Sequence, residues 1–176
     1  MPPTRNLRDD FRIEPLGKGH DRAAFFCGNE PLDNYLKRQA SQDVAKHIAV
    51  SFVLTPEGKT VAGYYTLSQY ALDLVQLPAE TVKKLPRYPE VPTTLLGRLA
   101  VSARFRGQKL GEFLLLDALY RCLQQSSQVA SAAVVVDAKD ESAKRFYEHF
   151  EFMPLPGIPN RLFLPMKTID DLFRDA

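Results

Sequence analysis

The chain has 176 residues, 45% of them apolar and 25% charged, with a formal net charge of +2. That length suits one domain with a real core and is short for two, and the composition is that of a soluble globular protein rather than a disordered or fibrous one. No apolar stretch reaches the roughly 18 residues of a membrane span, and the opening MPPTRNLRDDFRIE lacks the apolar core of a signal peptide, so a cytoplasmic location is expected.

In chain order, FRIEPL reads as a short first strand. NEPLDNYLKRQASQDVAKH predicts a helix, with Asn29 as N-cap, Pro31 in the first turn, and Leu32, Tyr35, Leu36 and Ala40 on one face. IAVSFVLTPEGKTVAGYYTLSQYAL predicts two strands joined by the turn Pro56-Glu57-Gly58-Lys59. A connector with Pro78, Pro86, Pro89 and Pro92 follows, unsuited to a central strand or a long helix. TLLGRLAV predicts a strand and KLGEFLLLDALYRCLQQSS a helix, with Phe113, Leu114, Ala118 and Cys122 facing one way. SAAVVVDA is apolar and β-branched, the pattern of a strand buried on both faces. DESAKRFYEHF predicts a helix with Ala143, Phe146, Tyr147 and Phe150 at helical spacing, and RLFLPMKT is expected to close the sheet. Strand, helix, strand and helix over 94–150 make a βαβ-like core after an antiparallel hairpin. The two cysteines, Cys27 and Cys122, lie far apart in apolar surroundings and read as reduced buried thiols.

The charge is unevenly spread. Lys83, Lys84, Arg87, Arg98, Arg104, Arg106 and Lys109 face a single acid, Glu90, so residues 83–109 carry +6. Such a block points to an anionic ligand. Its end, RFRGQKLG, opens the helix after TLLGRLAV. A helix N-terminus offers unpaired N–H groups and a partial positive charge, the features that bind phosphate. Gly107 and Gly111 let the backbone approach a ligand, and Arg106 and Lys109 add charge. The Gly-Lys-Ser/Thr of a Walker loop and the Gly-x-Gly-x-x-Gly dinucleotide fingerprint are both absent.

RLAVSARFRGQKLGEFLL resembles the acyl-coenzyme A motif of the GNAT N-acetyltransferases, Gln/Arg-x-x-Gly-x-Gly/Ala between a strand and a helix. Here it is Arg104-Phe105-Arg106-Gly107-Gln108-Lys109 followed by Leu110-Gly111, and Lys109 departs from the family's small residue. Together with FFCGNEPLDNYLKRQASQD, VAGYYTLS, VVVDAKDESAKRFYEHFEFMPLP and RLFLPMKT, the chain is similar to the acetyltransferase toxins of bacterial toxin–antitoxin pairs, which acetylate the amino group of aminoacyl-tRNA and stop translation. The resemblance implies a single α/β GNAT domain over 1–176, with a mixed, mostly antiparallel sheet flanked by helices and parallel strands splayed at the cofactor groove. It implies acetyl-CoA as co-substrate, without a metal. The pantetheine arm pairs with Leu99, Ala100 and Val101, and the diphosphate takes the amides of Arg106, Gly107, Gln108, Lys109, Leu110 and Gly111. Ala143 and Phe146 join the cofactor site, and Tyr147 is the proton donor to the leaving thiolate. Lys83, Lys84, Arg87 and Arg98 are expected at the tRNA. A ribbon–helix–helix antitoxin and a homodimer are implied in the same way.

From spacing alone Tyr147 fits a core aromatic beside Phe146 and Phe150; the resemblance makes it the acid. A phenol with pKa about 10 is a poor base but a serviceable acid toward a thiolate. An α-amino group titrates near 7.7–8.0, and an adjacent ester lowers that further, so no general base is required. His20, His47 and His149 lack ligand spacing, and His149 reads as a surface residue. Tyr64, Tyr65 and Tyr70 read as packing or as the acceptor side of the site. Asp137 is a candidate near the cofactor, Asp140 a helix cap, and Asp33 and Glu112 solvent-facing. Two alternatives stay open: acetylation of a small amine or protein N-terminus, and a non-catalytic coenzyme A-binding module.

Overall fold

The computed structural model describes residues 9–86 and 88–175. Its strands are β1 (Arg12–Pro15), β2 (Val50–Thr55), β3 (Gly63–Asp73), β4 (Glu90–Val101), β5 (Ala133–Asp137), β6 (Met153–Leu155) and β7 (Ile158–Pro165), in one sheet of order β1-β2-β3-β4-β5-β7-β6. Antiparallel ladders join β1 to β2, β2 to β3, β5 to β7 and β6 to β7, and β4 is parallel to β5. The expected mixed, mostly antiparallel sheet is therefore present. The chain divides into two compact units, Met1–Ser68 with Gly97–Arg121 and Gln69–Leu96 with Cys122–Ala176.

In the first unit the expected helix after Asn29 is interrupted. Asn29 caps α1 (Glu30–Asn34) by accepting the Leu32 N–H at 3.1 Å, but Tyr35–Gln39 forms a π-helical turn before α2 (Ala40–Ala45). The Ala40 N–H reaches back to the Tyr35 carbonyl, the wide spacing of a π turn, and Tyr35, Leu36 and Ala40 are all buried. Asp33 departs from its expected exposure. Its carboxylate is buried and accepts the Cys27 N–H at 2.8 Å, which a carboxylate on a solvated helix face would not do. The turn after β2 is closed by Glu57, whose carboxylate accepts from Thr60 and Lys59; the Thr60 N–H leads in holding its pKa down to about 2.

The long helix α4 (Leu110–Gln125) buries Phe113, Leu114, Leu115, Ala118 and Leu119 as its pattern predicts. A polar knot fixes it. Tyr65 donates to Asp117 Oδ2 at 2.6 Å, and Arg121 Nε donates to the Tyr65 oxygen at 2.9 Å and to Asp117 at 3.1 Å. The Arg121 guanidinium stacks over Phe52 at 4.1 Å. Burial pushes the Tyr65 phenol well above its ordinary pKa, so it serves here as a neutral donor.

In the second unit Ala133, Val134, Val135 and Val136 are all buried, as expected for β5. The proline-bearing connector forms a 3-10 turn (Leu74–Gln76) and the short helix α3 (Ala79–Val82). Two boundaries differ from expectation. β4 starts at Glu90, so Pro92 lies within a strand placed between two others; its carbonyl still accepts the Ala132 N–H at 2.8 Å. β7 does not close the sheet: it lies between β5 and β6, and α6 (Met166–Arg174) follows it, with Ile169 buried. Helix α5 (Glu141–His149) begins at Asp140, which accepts the Ala143 N–H at 2.7 Å.

Candidate active site

β4 ends where the basic turn begins. The Ser102 N–H donates to the Ala62 carbonyl at 2.8 Å, Ala103–Phe105 makes a 3-10 turn, and the chain then enters α4. Gly107 has φ +81° and Lys109 φ +59°, both left-handed. A Cβ at Gly107 would meet nothing within 4 Å, so glycine serves the backbone conformation there rather than the space. Lys109 holds the same region with a side chain, at a cost of about 1–2 kcal/mol. Arg106 through Lys109 are exposed while Leu110 is buried and anchors the helix start. The Phe113 N–H donates to the Lys109 carbonyl at 3.3 Å; the first-turn N–H groups before it have no partner within the helix. This backbone fits a diphosphate.

The Arg106 side chain is placed differently from expectation. Its guanidinium donates to the Cys27 carbonyl, and the Ala103 N–H donates to the Phe26 carbonyl at 2.8 Å. Gly28, with φ +86°, would bring a Cβ to 3.1 Å from Arg106 Nη2. The Arg106 guanidinium, though exposed, is thus committed to the segment before α1, and Arg104 and Lys109 are the other exposed cations of the turn. A shallow depression lined by Asp21, Thr60, Ser102 and Arg104 opens beside Phe105.

Leu99, Ala100 and Val101 form the end of β4. Ala100 is buried in the first unit's core with Tyr64 and Val53, and its neighbours are half-buried. The parallel ladder with β5 covers Thr94 to Leu96 opposite Val134 to Val136, and β4 runs on to Val101.

In the second unit Tyr147 is 6% exposed, in edge-on contact with Phe146 at 5.3 Å and Phe152 at 5.5 Å. Its hydroxyl has no hydrogen-bond partner among the described residues. Burial, aided by the Asp137 charge, pushes the phenol well above its ordinary pKa. Tyr147 is therefore fully protonated at neutral pH, a state that suits an acid. Phe146 and Ala143 are half-buried on the same helix. Asp137 is engaged elsewhere: Arg161 holds both of its oxygens, at 2.7 and 3.0 Å, and also donates to the Tyr70 hydroxyl at 2.6 Å.

Tyr64 and Tyr65 are fully buried, and Tyr64 donates to the Leu32 carbonyl at 2.6 Å, so both are packing residues. Lys83 and Lys84 are exposed in the second unit, with Lys83 3.3 Å from Glu80. Arg98 belongs to the first unit, where its guanidinium stacks over the Tyr35 ring at 3.5 Å; Arg87 lies outside the described residues. His20 bridges Glu14 Oε1 at 2.7 Å and the Gly17 N–H at 2.9 Å, and His149 is exposed. Cys27 and Cys122 are free and buried. No group of three or more His, Cys, Asp or Glu among the described residues is arranged to hold a metal ion, and no helix among them is long and apolar enough to cross a membrane.

A strand that ends in a left-handed basic turn at the start of a long helix has the backbone and charge that suit the diphosphate of an acyl-coenzyme A. The chain belongs to the GNAT family of acetyltransferases: the model described as "Acetyltransferase (GNAT) family" matches residues 16–152. It is similar to the tRNA-acetylating toxin of Mycobacterium tuberculosis, with 34% identity over 160 residues, 91% of this chain and 95% of the relative. Among solved structures it resembles AtaT complexed with acetyl-methionyl-tRNAfMet, at 34% identity and a TM-score of 0.85, over 93% of this chain and 99% of the other. It also resembles a Tyr-to-Phe mutant of the AtaT toxin bound to the C-terminus of the antitoxin AtaR and acetyl-CoA, at 30% identity and a TM-score of 0.80, over 94% and 99% of the two chains.

Proposed function

We infer that this chain is an acetyl-CoA-dependent toxin that acetylates the α-amino group of aminoacyl-tRNA and blocks translation until a cognate antitoxin neutralises it. The likeness along nearly the whole chain to a tRNA-acetylating toxin carries the reading. The left-handed Gly107–Lys109 turn supports it from the chemistry of this chain. In this reading residues 1–176 are one catalytic domain in the cytoplasm, acting as a homodimer, and the antitoxin is of the ribbon–helix–helix type.

Each residue's part follows from its surroundings. The amides of Arg106 to Gly111 hold the diphosphate, with Lys109 adding charge. The end of β4, Leu99 to Val101, pairs with the pantetheine arm as an added strand would. Ala143 and Phe146 supply apolar contact. Tyr147 gives its phenolic proton to the leaving thiolate, and the acceptor amine, already largely neutral, needs no dedicated base. Lys83 and Lys84 take tRNA phosphates. Arg98 and Arg87 complete that set, Arg98 with the smaller share because its guanidinium already stacks on Tyr35.

Cell-free translation tests the reading. The protein with acetyl-CoA should stop synthesis, the protein without acetyl-CoA should not, and adding the antitoxin should restore synthesis. Undiminished synthesis with acetyl-CoA present would defeat it in favour of a small-amine acetyltransferase.

A further inference from the structure

Phe26 is unused by this chemistry, yet it is held with care. It is 60% exposed, and its ring meets no other ring among the described residues. Its backbone is pinned from three sides. The Phe26 carbonyl accepts from the Ala103 N–H at 2.8 Å, the Cys27 carbonyl accepts from Arg106, and the Cys27 N–H is taken by the buried Asp33 carboxylate at 2.8 Å. A single exposed phenylalanine is ordinary on a protein surface. One on a pinned backbone, tied directly to a turn that carries exposed Arg104 and Lys109, has the composition of a site for single-stranded nucleic acid: an aromatic face beside cations. A duplex offers no unstacked base, so only a strand end fits such a face.

We propose that Phe26 is a stacking platform for an unpaired base at the single-stranded 3′ end of the RNA acceptor, with Arg104 neutralising an adjoining phosphate. Arg106 is a positioning residue that holds the platform through the Cys27 carbonyl. The proposal rests on the reading of the acceptor as aminoacyl-tRNA.

The test measures binding of a fluorescent RNA hairpin with a single-stranded 3′ end, and of the same hairpin made blunt, to the full chain and to its Phe26→Ala, Phe26→Trp and Arg106→Gln variants. Acetyl-CoA affinity is followed by calorimetry in parallel. Loss of one base stack weakens binding roughly 5- to 150-fold. Phe26→Ala should lose that factor on the overhang alone, Phe26→Trp should restore it, and acetyl-CoA affinity should not change in either. Arg106→Gln should lose part of the same preference. The platform is overturned if Phe26→Ala binds the overhang like the parent chain, if tryptophan fails to restore binding, or if Phe26→Ala weakens acetyl-CoA instead. Because the readout is binding, the two readings fail separately. A chain that prefers the overhang but acetylates no aminoacyl-tRNA keeps the platform and loses the proposed function.

Discussion

Gly63 packs so closely on Ala100 that a Cβ added to it would lie 2.9 Å from the Ala100 carbonyl oxygen and 2.9 Å from Leu114 Cδ1. One glycine thus sets how near the β3 backbone comes to the end of β4 and to α4, the two elements that flank the basic turn. Gly63→Ala should cost about 1–3 kcal/mol, the usual range for overpacking, because the nearest atom is backbone and cannot swing away. It should also raise the Kd for acetyl-CoA, since relief requires movement of Ala100 or α4. Thermal unfolding and calorimetry check the pair; an unchanged Tm would show that β4 yields freely there.

Lys109 carries two opposed contributions, and substitution separates them. Its left-handed backbone is strained, so Lys109→Gly should raise stability by about 1 kcal/mol. In the proposed site its exposed ammonium lies beside the diphosphate and is worth up to about 1 kcal/mol, so acetyl-CoA affinity should fall by a factor of about five or less. Lys109→Ala should show the same loss of affinity without the gain in stability. Loss of affinity in the glycine variant but not in the alanine variant would contradict a charge contribution.

Tyr147→Phe keeps the ring and removes the proton. The rate should fall by about 10²–10⁴, the span of one general acid, with folding intact. The pH dependence has a definite sign. Because burial raises the phenol's pKa, the acid form persists through neutral and mildly alkaline pH. The rate of the parent chain should therefore rise as the acceptor amine deprotonates and then level off, with no falling limb below about pH 10, the ordinary phenol value. A falling limb near pH 8 that disappears in Tyr147→Phe would show that the phenol titrates low and that burial does not set its pKa.

Much of the fold was legible because it is local. The β-branched run at 134–136 and the caps Asn29 and Asp140 depend on neighbours a few residues away, and each forms as its sequence predicts. Two of the departures depend on distant partners. Pro92 sits in β4 because a carbonyl suffices for its bond from Ala132, and nothing near Pro92 specifies that. β7 lies inside the sheet because Met153–Leu155 pairs along its other edge, an event too short to carry a pattern. The π turn at Tyr35–Gln39 keeps apolar residues at spacings a regular helix also allows.

The candidate site divides in the same way. Arg-Phe-Arg-Gly-Gln-Lys-Leu-Gly marks the turn, whereas the spacing of Tyr147 marks only a core aromatic and its proposed role as the acid comes from the family resemblance alone. The direction of the Arg106 side chain was not legible, because its acceptor is a backbone carbonyl 79 residues away in the sequence. The burial of Asp33 is illegible for the same reason: its partner is a main-chain N–H, which no residue type announces. Gly28, the glycine that leaves room for the guanidinium, was the one available signal.

Mass spectrometry of a purified aminoacyl-tRNA pool after incubation with isotopically labelled acetyl-CoA tests the central claim most directly. The amino acids released from the tRNA should carry a labelled acetyl group on the α-nitrogen, at a rate reduced about 10²–10⁴-fold by Tyr147→Phe. Absence of any N-acetyl-aminoacyl product, while small amines are acetylated rapidly by the same preparation, would contradict it.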